Sequence, residues 1–298
     1  MMNISRELAE TLLAVVQEGT LDAAAKRLHV TPSAVSQRIK ALETQLGRVV
    51  LVRAKPARTT EAGTAVVRFA REIALLEHDA LVQMGVGDDS ARVSIPLAVN
   101  ADSLGTWFLQ PLARLAEQHP VVFDLHRDDQ DFTASLLESG TVMGAVTSRR
   151  APVSGCKVMP LGVMRYDAVA TVGFMKRWLP AGPTATALDA APVVEFDRRD
   201  DLQTRWLRDR GSAGTAPRHY VPASNDFARA VSLGLGWGLL PVFQSSEGLN
   251  DGSLVKLDNL WVDVPLYWQQ WNLRSQLLDA IADTVAEAAA TVLERPGV

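Results

Sequence analysis

The chain has 298 residues, 47% of them hydrophobic and 21% charged, with a formal net charge of −4. That length exceeds one typical domain, and the composition is that of an ordinary globular protein able to build more than one core. A single cysteine, Cys156, excludes a disulfide framework, and no uninterrupted apolar run is long enough to predict a membrane-spanning helix.

The charge is unevenly placed. Residues 1–58 carry nine Lys and Arg side chains against five acids, which makes this head +4 and leaves −8 on the rest. A basic head on an acidic body fits a nucleic-acid-binding module joined to a separate domain. The N-terminus shows no basic n-region followed by an apolar h-region, so a cytoplasmic protein is expected.

Residues 4–18 predict a first helix with Leu8, Leu12, Val15 and Val16 as its buried stripe and Gly19 as its stop. Thr20 caps a short helix in which Ala23, Ala24, Ala25 and Leu28 allow close approach. Thr31 and Pro32 then cap and open a third helix. Along it Val35, Ile39, Leu42 and Leu46 form one apolar stripe, with Ser33, Ser36, Gln37 and Lys40 on the opposite side. Taken alone, that polar side fits solvent as well as the base edges and phosphates of a major groove. The tight turn and the alanine packing favour the groove. Gly47 ends the helix, and the β-rich run 49–52 leads into Arg53, Lys55 and Arg58. This is either a wing whose cations reach the DNA backbone or a charged linker.

Thr60 caps a long helix reaching about Met84, with Val66, Phe69, Ile73, Leu76 and Ala80 spaced as a heptad seam. The seam packs either on its own chain or on a second copy, and the need to read two half-sites favours the copy. Residues 85–92 are a polar, glycine-bearing linker. Beyond them strands (93–99, 121–125, 142–146) alternate with helices (104–117, 132–138). The alternation repeats from 166 to 240 and closes with a strand at 264–268 and a helix at about 274–293. It predicts an α/β domain with mainly parallel sheets, in two similar blocks with a cleft between them.

Ligands in open α/β sheets sit past the carboxyl ends of strands, at helix N-termini. The junctions so placed are Asn100-Ala101-Asp102-Ser103, Thr147-Ser148, Asp197 and Ser224-Asn225-Asp226. Backbone N–H groups and the Ser103 hydroxyl suit an α-carboxylate, and Asp102 suits an ammonium. The same residues also fit ordinary caps and turns. No catalytic constellation is visible. Gly234, Gly236 and Gly238 do not make a dinucleotide fingerprint, and the five histidines lack metal-ligand spacing. Trp261, Trp268 and Trp271 are expected in the core or at subunit contacts.

The segments GTLDAAAKRLHVTPSAVSQRIKALETQLG (19–47) and RTTEAG (58–63) resemble the LysR-type bacterial transcriptional regulators, and the likeness covers essentially the whole chain. LAVNADSLGTWFLQPLA (97–113), YDAVAT (166–171), PVVEFDRRDDLQ (192–203) and GWGLLP (236–241) resemble the arginine/lysine-responsive subfamily that controls basic-amino-acid export. His29 departs from the Gly common in such turns. The resemblance implies an all-α winged helix-turn-helix head (1–58), a linker and dimerisation helix (59–88), and a two-lobed α/β periplasmic-binding-protein-like effector domain (92–298). Lobe I would span about 92–161 and 265–298, lobe II about 162–264. Thr31, Pro32, Ser33, Ser36, Gln37, Arg38 and Lys40 would lie near base edges or phosphates, with Arg53 as the wing residue. Val66, Phe69, Ile73 and Leu76 would form the dimer seam. Lysine or arginine carries two cations and one carboxylate, so Asp102, Asp197 and Asp226 are the expected carriers, with Asn100, Ser103, Thr147, Ser148 and Asn225 around them. Also implied are a homodimer or homotetramer on a palindromic operator, activation of an exporter gene and RNA polymerase as a further partner. No cofactor, metal, membrane or enzymatic activity is implied. An architectural or replication-control DNA binder, whose acidic domain serves assembly, is the alternative.

Overall fold

Helix α1 (Arg6–Glu18) buries Ala9, Leu12 and Val15 and stops where Gly19 takes φ 73°. Thr20 accepts the Ala23 N–H at 3.1 Å and so opens α2 (Leu21–Arg27). His29 turns the chain with φ 54°, the left-handed role a glycine often fills. Thr31 accepts the Ala34 N–H at 3.2 Å, and Pro32 starts α3 (Pro32–Leu46). Val35, Ile39 and Leu42 are fully enclosed against α1 and α2. Each such side chain contributes about 1.5–3 kcal/mol on burial. Strands β1 (Leu51–Val52) and β2 (Arg58–Thr59) pair antiparallel, so the run after α3 is a wing and not a linker. The computed structural model describes residues 4–86, 92–127 and 133–295. The sequence-predicted linker therefore falls largely outside the described residues, as does Phe132.

Helix α4 (Glu61–Gln83) is locked to the wing by one threonine. Thr60 accepts the Gly63 N–H at 3.1 Å and donates to the Val49 carbonyl at 2.6 Å. Gly63 is needed for close approach, since a Cβ there would lie 1.9 Å from the Val50 carbonyl oxygen. The first half of α4 belongs to the head: Val66, Val67 and Ala70 complete its core, and Phe69 packs on it. This corrects the heptad reading. Val66 is enclosed within its own chain and presents no surface to a partner, because the wing and α1 cover the start of the helix. Ile73 is half-buried, and Leu76 is exposed along with Leu81, Val82 and Met84.

The same helix reaches into the next domain, where Leu75 joins a second core. Buried Arg71 donates to the carbonyls of Gly140 and Thr141, and burial lowers its pKa to about 10. Asp79 accepts the N–H groups of Gln276 (3.0 Å) and Leu277 (3.4 Å). Arg68 stacks 4.9 Å from the Trp271 ring centroid.

The second domain runs β3 (Val93–Val99), α5 (Ala101–Thr106), α6 (Leu109–Gln118), β4 (Val121–Arg127), α7 (Thr133–Glu138) and β5 (Gly144–Thr147). It continues with β6 (Cys156–Thr171), α8 (Val172–Trp178), α9 (Ala185–Ala190), β7 (Val193–Glu195), α10 (Leu202–Arg208) and β8 (Arg218–Tyr220). It closes with α11 (Ser224–Ser232), β9 (Gly238–Pro241), α12 (Val242–Asp251), β10 (Leu254–Trp271) and α13 (Gln276–Val292). The main sheet has the order β4-β3-β5-β10-β6-β9. Only the β3 pairings with β4 and β5 are parallel; β10 runs antiparallel to β5 and β6, and β6 to β9. The expectation of mainly parallel sheets is thus corrected. The reason is that β6 and β10 are long crossover strands. Their halves on one side of Gly162 and Leu266 pair beside β5 in the first lobe, and the others lie beside β9 in the second. A register shift after Leu266 marks the crossing. Strands β7 and β8 pair parallel and join the β9 side through a Val193–Trp237 bridge. Trp268 and Trp271 are core residues, whereas Trp261 is exposed beside Arg165.

Candidate nucleic-acid interface and ligand cleft

The polar side of α3 is open. Thr31, Pro32, Ser33, Gln37 and Lys40 are exposed, and Ser36 is half-buried on the same side. Thr31 is partly committed as a cap, with its hydroxyl 3.0 Å from that of Ser33. Arg38 points back toward α1, where it meets Glu7 at 2.5 Å. It therefore ties the reading helix to the scaffold as well as adding charge. Arg53 sits exposed at the wing tip with Lys55, and the wing is tethered by the Ala57 N–H to the Gly19 carbonyl at 2.7 Å. Short hydrogen-bonding side chains flanked by cations on a rigid convex helix suit a major groove and its phosphates.

The second site is an open cleft between the lobes. Asn100 and Asp102 enter it from the end of β3 and the start of α5. From the other side come Tyr166 on β6, Phe196, Asp200, Gln203 on α10, Phe227 on α11 and Gln244 on α12. Asp102 is its electrostatic centre. Its two carboxylate oxygens accept from the Tyr166 hydroxyl and the Ser224 hydroxyl, each at 2.7 Å. Desolvation raises the Asp102 pKa above the ordinary carboxylate value, against the pull of those two hydrogen bonds. Around it the side-chain oxygens of Asn100, Gln203 and Gln244 are buried without a partner. Three amide oxygens of the cleft lining thus lack a protein donor.

Of the junction residues, Asn100 and Asp102 line this cleft and Asn225 stands behind it, accepting from Gln244 at 3.1 Å. The others are placed differently. Ser103 is buried within α5 and does not line the cleft. Thr147 accepts the Arg149 N–H at 3.1 Å in the turn after β5, and neither it nor Ser148 is among the lining residues. Asp197 ties its own loop, accepting the N–H groups of Arg199 (2.6 Å) and Asp200 (3.0 Å). Asp226 is exposed in the first turn of α11. The turn reading fits Thr147 and Asp197, whose short side chains accept backbone N–H groups of their own turns. Tyr166, Asp200, Gln203 and Gln244 were missed. The strand-to-helix rule, applied once more to β9 and α12, points to Gln244.

Two family profiles match the chain: a bacterial regulatory helix-turn-helix protein of the lysR family over residues 7–64, and a LysR substrate binding domain over residues 90–290. The chain belongs to the LysR family. It is a LysR-type DNA-binding transcriptional regulator, a family of regulators and not of enzymes. It is 48% identical over 279 residues to the HTH-type transcriptional regulator LysG of Mycobacterium tuberculosis, covering 93% of this chain and 91% of that protein. It is 44% identical over 282 residues to the lysine export transcriptional regulatory protein LysG of Corynebacterium efficiens, covering 94% and 96%. Among solved structures, full-length LysG from Corynebacterium glutamicum with bound effector Arg superposes with a TM-score of 0.77 at 39% identity, covering 98% and 100%. Among the described residues no helix is long and apolar enough to cross a membrane.

Proposed function

We propose that this LysR-type regulator binds a basic L-amino acid, arginine or lysine, in the interlobe cleft and activates a gene for its export. The carrying observation is the cleft's surplus of acceptors: a desolvated carboxylate on Asp102 and three partnerless amide oxygens. A guanidinium supplies five donors and an ammonium three, each with the charge that Asp102 calls for. The arginine-bound relative and the lysine-export relative support the same class of ligand. Ligand closes the lobes, and α4, docked on the first lobe, carries the change to the two heads of a dimer or the four of a tetramer on a palindromic operator. Leu76, Leu81 and Val82 on α4, with Met84 at its C-cap, supply the exposed apolar surface for pairing. RNA polymerase is the expected partner of the activating form. A thermal-shift screen of the proteinogenic amino acids, with citrulline added and with and without operator DNA, tests this reading. Arginine and lysine should raise the unfolding temperature, and uncharged citrulline should not. A response to citrulline equal to that of arginine, or to neither basic amino acid, refutes it.

A further inference from the structure

The Asp102 cluster extends further than ligand contact requires. Asp102 belongs to α5 in the first lobe, whereas Ser224 opens α11 and Gln244 lies on α12 in the second. Ser224 has one hydroxyl hydrogen, and it goes to Asp102 at 2.7 Å. The 3.0 Å contact between Ser224 and Gln244 therefore runs from the Gln244 amide into a serine lone pair. The second amide hydrogen of Gln244 goes to Asn225 at 3.1 Å. Along the relay from Gln244 through Ser224 to Asp102 each hydrogen bond is donated toward the carboxylate, an arrangement that suits its ionised form. Ser224 does not cap its helix, because α11 has Ala223 at the N-cap and no side-chain cap bond. It does not line the cleft either. The lobes meet here at van der Waals distance: a Cβ on Gly105 would lie 3.3 Å from both Cβ and Oγ of Ser224.

We infer that Ser224, aligned by Gln244, is a positioning residue that holds Asp102 ionised for a cationic ligand and joins the two lobes at the mouth of the cleft. The inference rests on the basic-amino-acid reading above. Tyr166 faces the same carboxylate from β6, and Asp200 lines the cleft opposite. The remaining charged groups on α11, α12 and the Tyr166 half of β6 are placed elsewhere: Arg165 pairs with Asp263, Asp167 pairs with Lys256, and Asp226, Arg229, Glu247 and Asp251 are exposed.

The test is a double-mutant cycle on the full chain, with Ser224→Ala, Asp102→Asn and the pair. Unfolding temperatures are read at pH 5 and pH 8, and arginine affinity by calorimetry. A hydroxyl that stabilises the ionised carboxylate matters more where that carboxylate is ionised. The Ser224→Ala deficit should thus be larger at pH 8 than at pH 5, and it should lose this pH dependence in the Asp102→Asn background. Arginine should bind Ser224→Ala about tenfold more weakly, since one charge-assisted hydrogen bond behind the carboxylate is gone. A deficit equal at both pH values, one whose pH dependence survives without Asp102, or an unchanged arginine affinity overturns the inference. If the unmodified protein binds neither arginine nor lysine, the ligand reading fails alone, and the pH cycle still decides the role of Ser224.

Discussion

At the residue scale, one carboxyl group sets the pH behaviour of the cleft. Burial raises the Asp102 pKa above its ordinary 3.8, so the folded chain holds that proton more tightly than the unfolded chain. The group's contribution to stability is then fully present below the ordinary value of 3.8 and is lost as pH rises from there through the raised pKa. A cationic ligand prefers the ionised form. Arginine affinity should therefore strengthen with rising pH through the raised pKa, and binding below it should release a proton. Calorimetry in buffers of different ionisation enthalpy reads that release; proton uptake, or affinity flat with pH, contradicts it. Asp102→Asn keeps one acceptor oxygen for Tyr166 or Ser224, turns the other into an amide donor that the facing hydroxyl must rotate to accept, and removes the charge. It should leave the unfolding temperature at neutral pH equal or higher while arginine binds about 100-fold more weakly, within the ~2–5 kcal/mol typical of a broken buried charge pair. The head separates two other roles. Gln37, exposed on the reading face, matches the bidentate geometry of adenine, and Gln37→Ala should relax preference at one base pair per half-site by about 1–3 kcal/mol. Arg53 at the wing tip works through phosphate and counterion release, so Arg53→Ala should weaken all sequences alike and lower the salt slope by about 1. Binding titrations on operator and random DNA, each at several salt concentrations, check the split; equal losses on both DNAs for both variants would sink it.

At the element scale, short-range signals were legible and long-range ones were not. Thr20, Thr31 and Thr60 mark helix starts because a cap bonds within three residues, and all three do so. The apolar stripe on α3 was equally plain, since Val35, Ile39 and Leu42 have one core to face. Strands β6 and β10 were read too short. Pro160 reads as a strand breaker and Pro265 falls inside the predicted 264–268 run, and both are tolerated within the longer strands. At these positions each strand has one described neighbour, so a missing N–H costs no ladder bond on the other side. The cleft was half legible for a related reason: Asn100 and Asp102 follow a strand directly, whereas Tyr166 and Gln203 arrive from distant turns of the chain. Glycine at position 63 illustrates a signal that runs against propensity. Alanine is the better helix former by about 1 kcal/mol. The 1.9 Å approach of a Cβ to the Val50 carbonyl outweighs that gain, because the obstacle is backbone. Gly63→Ala should destabilise the head by about 3 kcal/mol, the scale of an overpacked core. Urea unfolding followed by helical circular dichroism measures it, and a stabilised head would show that the wing yields more easily than its hydrogen bonds suggest.

At the scale of the whole molecule, the linker helix decides whether a ligand in the cleft is felt at the DNA. Helix α4 is shared between two cores, with Val66 and Ala70 in the head and Leu75 in the second domain. A rod fixed at both ends transmits displacement, and a rod fixed at one end swings freely. The fixing on the ligand-domain side is chiefly polar, through Arg71 on the carbonyls of Gly140 and Thr141 and Asp79 on the first turn of α13. Arg71 keeps its charge at neutral pH even though burial lowers its pKa to about 10, so both bonds are charge-assisted. Arg71→Met preserves much of the side chain's apolar volume but leaves two carbonyls without this donor, at about 1–3 kcal/mol for each buried acceptor. None of these groups lines the cleft. Arginine should therefore bind the variant within about twofold of the unmodified protein, well inside the 1.4 kcal/mol that separates tenfold changes. The response should disappear all the same: operator affinity, followed by fluorescence anisotropy, should be the same with and without saturating arginine. Were operator affinity still to shift with arginine in Arg71→Met, the coupling would not need Arg71, and the remaining anchors of α4, Leu75 in the second core and Asp79 on the first turn of α13, would suffice to carry it.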